Sequence, residues 1–348
     1  MKRICIIGHY GFGRTLLNGQ TIKTKIITSE IQKQYGVDNV FCLDLAGGLK
    51  RIPSLLFKVP CELWKCDDFI MMPVENGLRF LTPLLRFWSR FFKRRLHYVV
   101  IGGWLSAFLL KKKRIKNGLK RFDGVYVETT TMKSSLVEQG FENVHVMPNC
   151  KNLTILSEKE LVYPTGTPYK LCTFSRVMKE KGIETALNAV KRVNDELGYV
   201  AYSLDIYGPL DLAQTEWFDS LKKQFPNYVT YCGCVEADQS VDVLQNYFAL
   251  LFPTHFYTEG IPGTIIDAYA AGIPVISAKW ESYSDIVDEG ITGLGYEFDK
   301  IEQFVKILHE CIQNPDTLMG MKKECIRKAQ DYIPQSAIQI LIEHIESD

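Results

Sequence analysis

Short apolar runs rich in β-branched residues alternate with longer amphipathic stretches along nearly the whole chain of 348 residues. The first run, at residues 3–7, leads through a glycine-rich turn into helical periodicity over residues 21–34. Strands that alternate with helices predict a parallel β-sheet covered by helices on both faces. The ordinary composition, 46% hydrophobic and 23% charged, excludes a disordered chain, a collagen and a coiled coil.

This alternation occurs twice, on either side of a polar segment at residues 150–168 that contains Pro164, Gly166 and Pro168. The predicted strands of the first half are 3–7, 39–43, 68–73, 97–101, 124–127 and 144–147, and those of the second half are 169–174, 202–207, 228–231, 249–253 and 274–278. We therefore expect two Rossmann-like domains, residues 1–150 and 151–332. A final apolar helix, about 333–348, is expected to pack back on the first domain.

Charge and apolar content restrict the class of protein. A formal net charge of +1 excludes a uniformly basic nucleic-acid binder. No apolar run approaches the ~20 residues of a membrane span, and the N-terminus lacks a signal-peptide pattern. The ten cysteines are scattered, and Cys232-Gly-Cys234 has no further ligands nearby, so we expect reduced, buried thiols and no metal site. The expected location is cytoplasmic, peripheral on the inner face of the cell membrane.

A basic and aromatic stretch motivates the membrane part of that expectation. Residues 76–122 hold thirteen Lys or Arg and no Asp or Glu, and Thr82-Pro83 predicts a helix start. A helix with basic and aromatic faces suits the headgroup plane of an anionic membrane. Packing on its own domain with a solvated basic face, and binding of an acidic polymer, remain open. The predicted membrane face comprises Arg86, Trp88, Arg90, Phe91, Phe92, Lys93 and Arg94.

The glycine-rich turn after the first strand has two interpretations. Its glycines, Gly8, Gly11 and Gly13, follow a G-x-x-G-x-G order, which differs from the dinucleotide fingerprint. The turn is either structural or a loop whose backbone N–H groups approach a ligand phosphate. His9 is correspondingly either a turn residue or an active-site hydrogen-bonding group.

The second half carries the more informative motifs. Arg176 and Lys181 follow the first strand of that domain, at the sheet edge where ligands bind, and two cations there suit a diphosphate. The alternative is a pair of solvated loop charges. Glu259 precedes Asp267 by eight positions, and the backbone near Gly263 begins a helix whose positive end suits a phosphate. Thr264-x-x-Asp267 also has the spacing of a capping box.

These motifs resemble those of the retaining glycosyltransferases of family 4. Arg176, four residues and Lys181-Gly182 match one family pattern, and the two acids followed by Ala-Gly-x-Pro-Val match another. The similarity extends over roughly residues 145–300 and is weak over residues 1–120. It implies the GT-B fold, in which two Rossmann-like parallel-sheet domains face a central cleft.

The resemblance also implies roles for individual residues. Glu259, Arg176 and Lys181 would be catalytic, with Glu259 on the transferred sugar, the two cations on the donor diphosphate and Asp267 on the ribose. The donor site as a whole would comprise Arg176, Lys181, Gly208, Glu259, Gly263, Thr264, Ile265 and Asp267. The expected acceptor side comprises His9, Gly11, Gly13, Gly102 and Gly103. No metal and no cofactor are expected.

Two positions depart from the family pattern. Asp267 is one methylene shorter than the usual Glu, which leaves its reach to the ribose open. Gly102-Gly103-Trp104 stands where many relatives present a histidine to the donor sugar. These two glycines would let the backbone approach the ligand.

The resemblance thus implies a retaining, metal-independent hexosyltransferase. Its expected donor is a nucleotide-diphosphate sugar, with UDP favoured, and its expected acceptor is a hydroxyl of a growing, lipid-linked glycan. The expected partners include an anionic membrane surface and exclude nucleic acid. A soluble sugar or sugar-phosphate acceptor, and a non-catalytic GT-B scaffold, are the alternatives.

Overall fold

The computed structural model describes residues 2–12, 19–47 and 52–347. The chain divides into unit 1, Met1–Asn152 with Tyr332–Asp348, and unit 2, Leu153–Asp331. Each unit contains a six-stranded sheet in which every pair of neighbouring strands is parallel. The predicted α/β class with two parallel sheets is confirmed.

The sheet of unit 1 has the strand order β2-β1-β3-β4-β5-β6. Its strands are β1 Ile4–Gly8, β2 Val40–Asp44, β3 Asp68–Met71, β4 Arg95–Val99, β5 Gly124–Val127 and β6 Val144–Val146. The helices of this unit are α1 Gly19–Tyr35, α2 Ile52–Lys65, α3 Glu75–Phe92, α4 Leu105–Leu110, α5 Lys113–Leu119, α6 Thr130–Glu138, α13 Pro334–Ala337 and α14 Gln339–Glu346.

The sheet of unit 2 has the order β12-β11-β10-β7-β8-β9. Its strands are β7 Tyr169–Phe174, β8 Tyr202–Tyr207, β9 Val229–Gly233, β10 Ala249–Phe252, β11 Val275–Lys279 and β12 Gly293–Glu297. Its helices are α7 Ile183–Leu197, α8 Thr215–Lys222, α9 Ser240–Leu244, α10 Gly263–Ala270, α11 Ile301–Gln313 and α12 Asp316–Ala329. The sequence did not predict β12.

The C-terminal helix α14 packs within unit 1. Leu341 and Ile345 are buried in one apolar cluster with Ile4 and Ile6 of β1. Arg95 donates a hydrogen bond to the carbonyl of His344 at 3.0 Å. Its guanidinium thereby meets a free carbonyl at the helix C-terminus, where a cation is favoured.

Helix α3 begins earlier than the sequence predicts. It starts at Glu75, so Pro83 lies inside the helix rather than in its first turn. Proline removes one helical hydrogen bond and its ring crowds the preceding turn. Burial of Leu78, Leu81 and Leu85 fixes the helix on the sheet, and this packing outweighs the local cost of the exposed proline.

The cysteines follow the predicted burial only in part. All ten are free thiols, and Cys61, Cys232 and Cys234 are exposed. The expectation of buried thiols was therefore wrong for these three, which lie on exposed parts of α2 and of the segment at the end of β9. In the described ranges, every helix is too short or too polar to cross a bilayer.

Candidate functional site

The carboxyl edge of the unit 2 sheet collects most of the predicted donor-site residues. Because parallel strands all end at the same edge, the loops that follow β7 and β10 begin side by side there. The β7–α7 loop comprises residues 175–182, and the β10–α10 loop comprises residues 253–262. Arg176 and Lys181 lie on the first loop and Glu259 on the second.

The two loops meet in an ion pair between Lys181 and Glu259. Both side chains keep some solvent exposure, 19% for the lysine and 16% for the glutamate. The Lys181 ammonium also lies 5.1 Å from the centroid of the Phe256 ring and 5.7 Å from that of Phe252. A carboxylate and two aromatic rings therefore hold this cation at a position that solvent still reaches.

Arg176 is held more loosely than Lys181. Its guanidinium lies 3.9 Å from the carboxylate of Asp211, and its side chain is 54% exposed. An ion pair at that distance and exposure contributes little to stability. The arginine can therefore turn toward an anion at little energetic cost.

Two glycines let neighbouring loops approach within contact distance. Gly182 has φ of 72° and Gly208 has φ of 130°, values that favour glycine. A Cβ atom at Gly182 would collide with the carbonyl oxygen of Pro253, and one at Gly208 with that of Ser175. The first glycine thus joins the β7–α7 and β10–α10 loops, and the second joins the ends of β7 and β8.

The start of α10 supplies free backbone donors. Gly263 and Thr264 are its first two residues, and the N–H groups of a first helical turn have no partner within the helix. The N–H of Ile265 already donates to the carbonyl of Pro262 at 3.1 Å. The Thr264 hydroxyl is buried and has no hydrogen-bond partner among the described residues.

The capping-box interpretation of Thr264 and Asp267 was wrong. The residue that precedes the helix is Pro262, so Thr264 already lies inside the first turn. Asp267 is 3% exposed, on the buried side of α10. Its contact with a ribose stays a prediction.

Two polar side chains that the sequence analysis missed brace the loops. His255 Nδ1 lies 2.8 Å from the Asp299 carboxylate, and its Nε2 lies 3.0 Å from the Thr185 hydroxyl. Gln214 accepts a hydrogen bond from the Lys179 N–H at 2.8 Å and donates one to Glu180 at 2.9 Å. Only the position of His255, within the motif that contains Glu259, could have drawn attention to it.

In unit 1, the glycine-rich turn is occupied by a protein carboxylate. Asp44, at the end of β2, accepts hydrogen bonds from the N–H groups of Tyr10, Gly11 and Phe12 at 2.9, 3.2 and 3.3 Å, and from Ala46 at 2.9 Å. Burial opposes ionisation of this carboxyl, but the four N–H groups lower its pKa below the ordinary value. These donors therefore bind Asp44 in place of a phosphate.

The remaining acceptor-side predictions lie near the same edge of unit 1. His9 Nδ1 is 2.8 Å from the Thr21 hydroxyl, and Gly102 donates to Glu128 at 3.2 Å. Gly103 follows Gly102 in the turn after β4, whereas Gly13 lies outside the described residues.

Sequence analysis also missed a buried ion pair at this edge. Lys23 Nζ lies 2.6 Å from the Glu128 carboxylate, and both side chains are less than 5% exposed. Lys23 also donates to the carbonyl of Val100 at 3.2 Å. Two buried charges paired in this way need no ligand to compensate them.

The predicted membrane face of α3 divides into three parts. Trp88 and Phe92 are partly buried against the core, and Arg94 donates to the carbonyls of Leu63 and Trp64 at 3.1 Å. Lys93 is the left-handed residue that ends the helix. Arg86, Arg90 and Phe91 are the predicted residues of this face that are not drawn into such contacts, and Phe91 is 67% exposed.

Across residues 2–12, 19–47 and 52–347, no group of three or more His, Cys, Asp or Glu side chains is arranged to hold a metal ion.

Comparison with known proteins identifies the domain that carries the paired loops. Residues 168–314 match the family model described as glycosyl transferases group 1. Unit 2 contains a glycosyl transferases group 1 domain. A comparison with curated protein sequences finds no match.

Solved structures extend the similarity over the whole chain. The structure of Anabaena Alr3699/HepE in complex with UDP has a TM-score of 0.77 at 15% identity, covering 99% of this chain and 100% of that one. Sucrose-phosphate synthase from Thermosynechococcus elongatus has 0.77 at 14% identity, covering 99% and 98%. The lipopolysaccharide outer core galactosyltransferase WaaB has 0.70 at 17% identity, covering 99% of both chains. The fold of this chain is therefore GT-B.

The close approach at Gly182 can be tested against the other end of α7. Gly182 and Gly198 flank this helix with φ of 72° and 75°, but a Cβ at Gly198 meets no atom within 4 Å. We expect Gly198→Ala to lower the free energy of unfolding by about 1 kcal/mol, the cost of the left-handed backbone. Gly182→Ala has the same backbone cost and in addition the collision with Pro253, so it should lower the free energy of unfolding clearly more. Equal decreases in the free energy of unfolding of the two variants, measured by urea denaturation, would contradict the contact between the loops.

The Asp44 turn predicts a pH-dependent effect. Because its folded pKa lies below the unfolded value, Asp44 stabilises the fold above the unfolded pKa of about 3.9, and this contribution is lost as the pH falls through the folded pKa. Asp44→Asn should therefore lower the melting temperature most at neutral pH, and the difference from the wild type should shrink in acid. A difference that stays constant from neutral pH into acid would contradict the role of the charge.

Proposed function

We propose that the protein is a retaining glycosyltransferase that moves a hexose from a nucleoside-diphosphate sugar, with a UDP-sugar favoured, to a hydroxyl of a growing, lipid-linked glycan. The observation that carries the proposal is the partly exposed Lys181–Glu259 pair at the carboxyl edge of a glycosyl transferases group 1 domain. The structural neighbours include Anabaena Alr3699/HepE solved with UDP-glucose, which supports the donor class.

In this proposal the donor diphosphate replaces Glu259 as the partner of Lys181. A diphosphate carries more negative charge than one carboxylate and offers more acceptor oxygens, so the exchange favours the ligand. Arg176, held only at 3.9 Å by Asp211, turns to the same group. Glu259, released from the lysine, accepts hydrogen bonds from hydroxyl groups of the transferred sugar.

The start of α10 assists the departure of the leaving group. As the bond between the sugar and the diphosphate breaks, negative charge grows on the diphosphate oxygens, and donors fixed beforehand stabilise that charge. Gly263 and Thr264 contribute N–H groups and the positive end of the helix. Ile265 contributes less, because its N–H already donates to Pro262. Gly208 permits the close approach of the ends of β7 and β8 beside the site, and Asp267 contacts the ribose.

Retention of configuration follows either from two inversions through a covalent intermediate or from attack on the face that the leaving group departs from. We favour attack on that face, because no carboxylate of the motifs is an obvious nucleophile. The acceptor oxygen bonds to the anomeric carbon as the bond from that carbon to the diphosphate oxygen breaks. The proton of the acceptor hydroxyl passes to a donor phosphate oxygen. The cations and the helix N-terminus take over the charge stabilisation that a divalent metal ion provides in other transferases, so no metal is required.

A lipid-linked acceptor places the enzyme at a membrane surface, bound peripherally on the cytoplasmic side. Residues 76–122 contain thirteen Lys or Arg residues and no Asp or Glu, and this local excess of positive charge supports the membrane part of the proposal. The similarity to WaaB, a lipopolysaccharide outer core galactosyltransferase, supports a glycan acceptor.

A soluble acceptor is the second candidate, because sucrose-phosphate synthase from Thermosynechococcus elongatus has the same fold over nearly the whole chain. The two candidates differ in their acceptor requirement. Turnover on soluble sugar phosphates, with none on lipid-linked glycans presented in vesicles, would favour the second.

The donor-site assignment predicts which substitutions abolish transfer. Lys181→Ala and Glu259→Gln should each lower turnover of the UDP-hexose about hundredfold or more, because each removes a group that acts on developing charge or on the sugar. Lys191→Ala, an exposed lysine on α7, serves as the control and should leave turnover unchanged. Sugar release and transfer are measured by chromatography, and circular dichroism verifies folding.

The same assay tests the mechanism. NMR of the first product should show the anomeric configuration of the donor, and EDTA should leave turnover unchanged. Undiminished turnover of folded Lys181→Ala would contradict the site, whereas an inverted product or loss of activity in EDTA would contradict the mechanism alone.

A further inference from the structure

A groove on unit 1 collects most of the unpaired positive charge of the basic stretch. It lies between α3 and the segment 111–121 and has a volume of about 980 Å³, which is the size of a small-molecule site. The cationic side chains that line it are Arg79, Arg86, Arg90, Lys111, Lys112, Lys113, Arg114 and Arg121, and its lining includes no Asp or Glu.

Most of these cations have no acidic partner among the described residues. Within that part of the chain, Arg79 is the one of the eight that forms an ion pair, an exposed one with Glu75 at 3.4 Å. Burial lowers the pKa of Arg86, and the neighbouring charges of Arg121 and Arg90 lower it further. Like charges held this close favour binding of an anion that carries several negative charges, because one such anion relieves several repulsions at once.

The groove also contains a polar group without a partner. Thr82 lines it and is 2% exposed, and its hydroxyl has no hydrogen-bond partner among the described residues. A buried hydroxyl without a partner costs free energy that a ligand oxygen can recover. Gly118 permits this depth, because a Cβ there would collide with the Thr82 methyl group.

An aromatic ridge borders the groove and indicates the source of the anion. Phe87 lines the groove and is 53% exposed, and its ring centroid lies 5.5 Å from that of Phe91. Exposed aromatic rings beside cations suit the boundary between lipid headgroups and acyl chains. A soluble anion would leave the ridge in water, whereas a lipid headgroup would cover both features.

From these features we infer that the α3–α5 groove binds a phosphorylated lipid headgroup with more than one phosphate, while Phe87 and Phe91 enter the headgroup layer. The inference deepens the proposed membrane association, on which it rests, and does not depend on sugar transfer. The membrane-binding surface inferred here differs from the one predicted from the sequence. Trp88, Phe92 and Arg94 contact other parts of unit 1 and do not belong to it, whereas the segment 111–114 lines the groove.

Vesicle flotation tests the groove. The vesicles consist of phosphatidylcholine alone, or with phosphatidylglycerol, or with cardiolipin at half that mole fraction so that the total charge is equal. The wild type should bind the cardiolipin vesicles most tightly. The groove variant Arg90→Gln, Lys112→Gln, Arg121→Gln should bind them at least about tenfold more weakly. The control variant Lys159→Gln, Lys191→Gln, Lys223→Gln removes the same number of charges from exposed lysines of unit 2 and should bind as the wild type does.

Further arms separate the source of the phosphates. The double variant Phe87→Ala, Phe91→Ala should bind vesicles more weakly than the wild type. Soluble pyrophosphate should stabilise this variant against thermal unfolding as much as it stabilises the wild type. Equal losses in the groove and control variants, or equal binding of the two anionic vesicles, would overturn the inference. Stabilisation by pyrophosphate that the groove variant loses, without any vesicle binding, would overturn the lipid assignment.

The same proteins keep this inference separate from the proposed transferase activity. UDP should stabilise the groove variant against thermal unfolding as much as it stabilises the wild type, and Lys181→Ala should still bind vesicles. Loss of vesicle binding in Lys181→Ala, or loss of the UDP response in the groove variant, would overturn the assignment of two independent anion sites.

Discussion

The shared carboxyl edge of parallel strands is the constraint on which the candidate site depends. It brings the loops after β7 and β10 together although Lys181 and Glu259 are 78 positions apart in sequence. Glycine at 182 then permits the backbone contact between these loops, and the ion pair joins their side chains. Because this ion pair joins loops and not strands, the strands can remain apolar. The polar residues of the site then lie on the loops at the carboxyl edge of the sheet.

The charged residues at the carboxyl edge of the sheet are paired differently in the two units. In unit 1, Asp44 accepts hydrogen bonds from N–H groups of the glycine-rich turn, and Lys23 forms a buried ion pair with Glu128. In unit 2, Arg176 and Lys181 are both partly exposed, and their acidic partners are Asp211 at 3.9 Å and Glu259. Charges that are already paired in buried sites gain little from binding an anion, which is why the diphosphate is proposed to bind in unit 2.

Local sequence patterns were sufficient for most of the sheets. The bounds of β5, β7 and β8 agree with the predicted 124–127, 169–174 and 202–207, because each is a continuous apolar or alternating run. Strand β12 was missed, since its sequence Gly-Leu-Gly-Tyr-Glu has low strand propensity and forms only beside β11. The predicted start of α3 was wrong because proline is common in the first turn of a helix, and Pro83 was therefore placed there. The helix continues through Pro83 because leucines on both sides of it pack in the core.

The site was predictable where motifs are local and not where partners are distant. Arg176, Lys181 and Glu259 stood out through their spacing and their place after strands. The Lys23–Glu128 pair spans 105 positions and the contact between Asp44 and Gly11 spans 33, so no periodicity or spacing rule connects them. His255 contacts Asp299 across 44 positions. The basic groove likewise required two segments whose proximity only the fold determines.

The exchange of Glu259 for a donor diphosphate at Lys181 is the central claim, and thermal unfolding with UDP tests it most directly. At a hundred times its dissociation constant, UDP should stabilise unit 2 by about 2.7 kcal/mol. At roughly 2–4 °C per kcal/mol for a domain of this size, the melting temperature should rise by about 5–11 °C. Lys181→Ala should lose this rise and still unfold as cooperatively as the wild type. An equal rise in both proteins, or no rise in either, would contradict it.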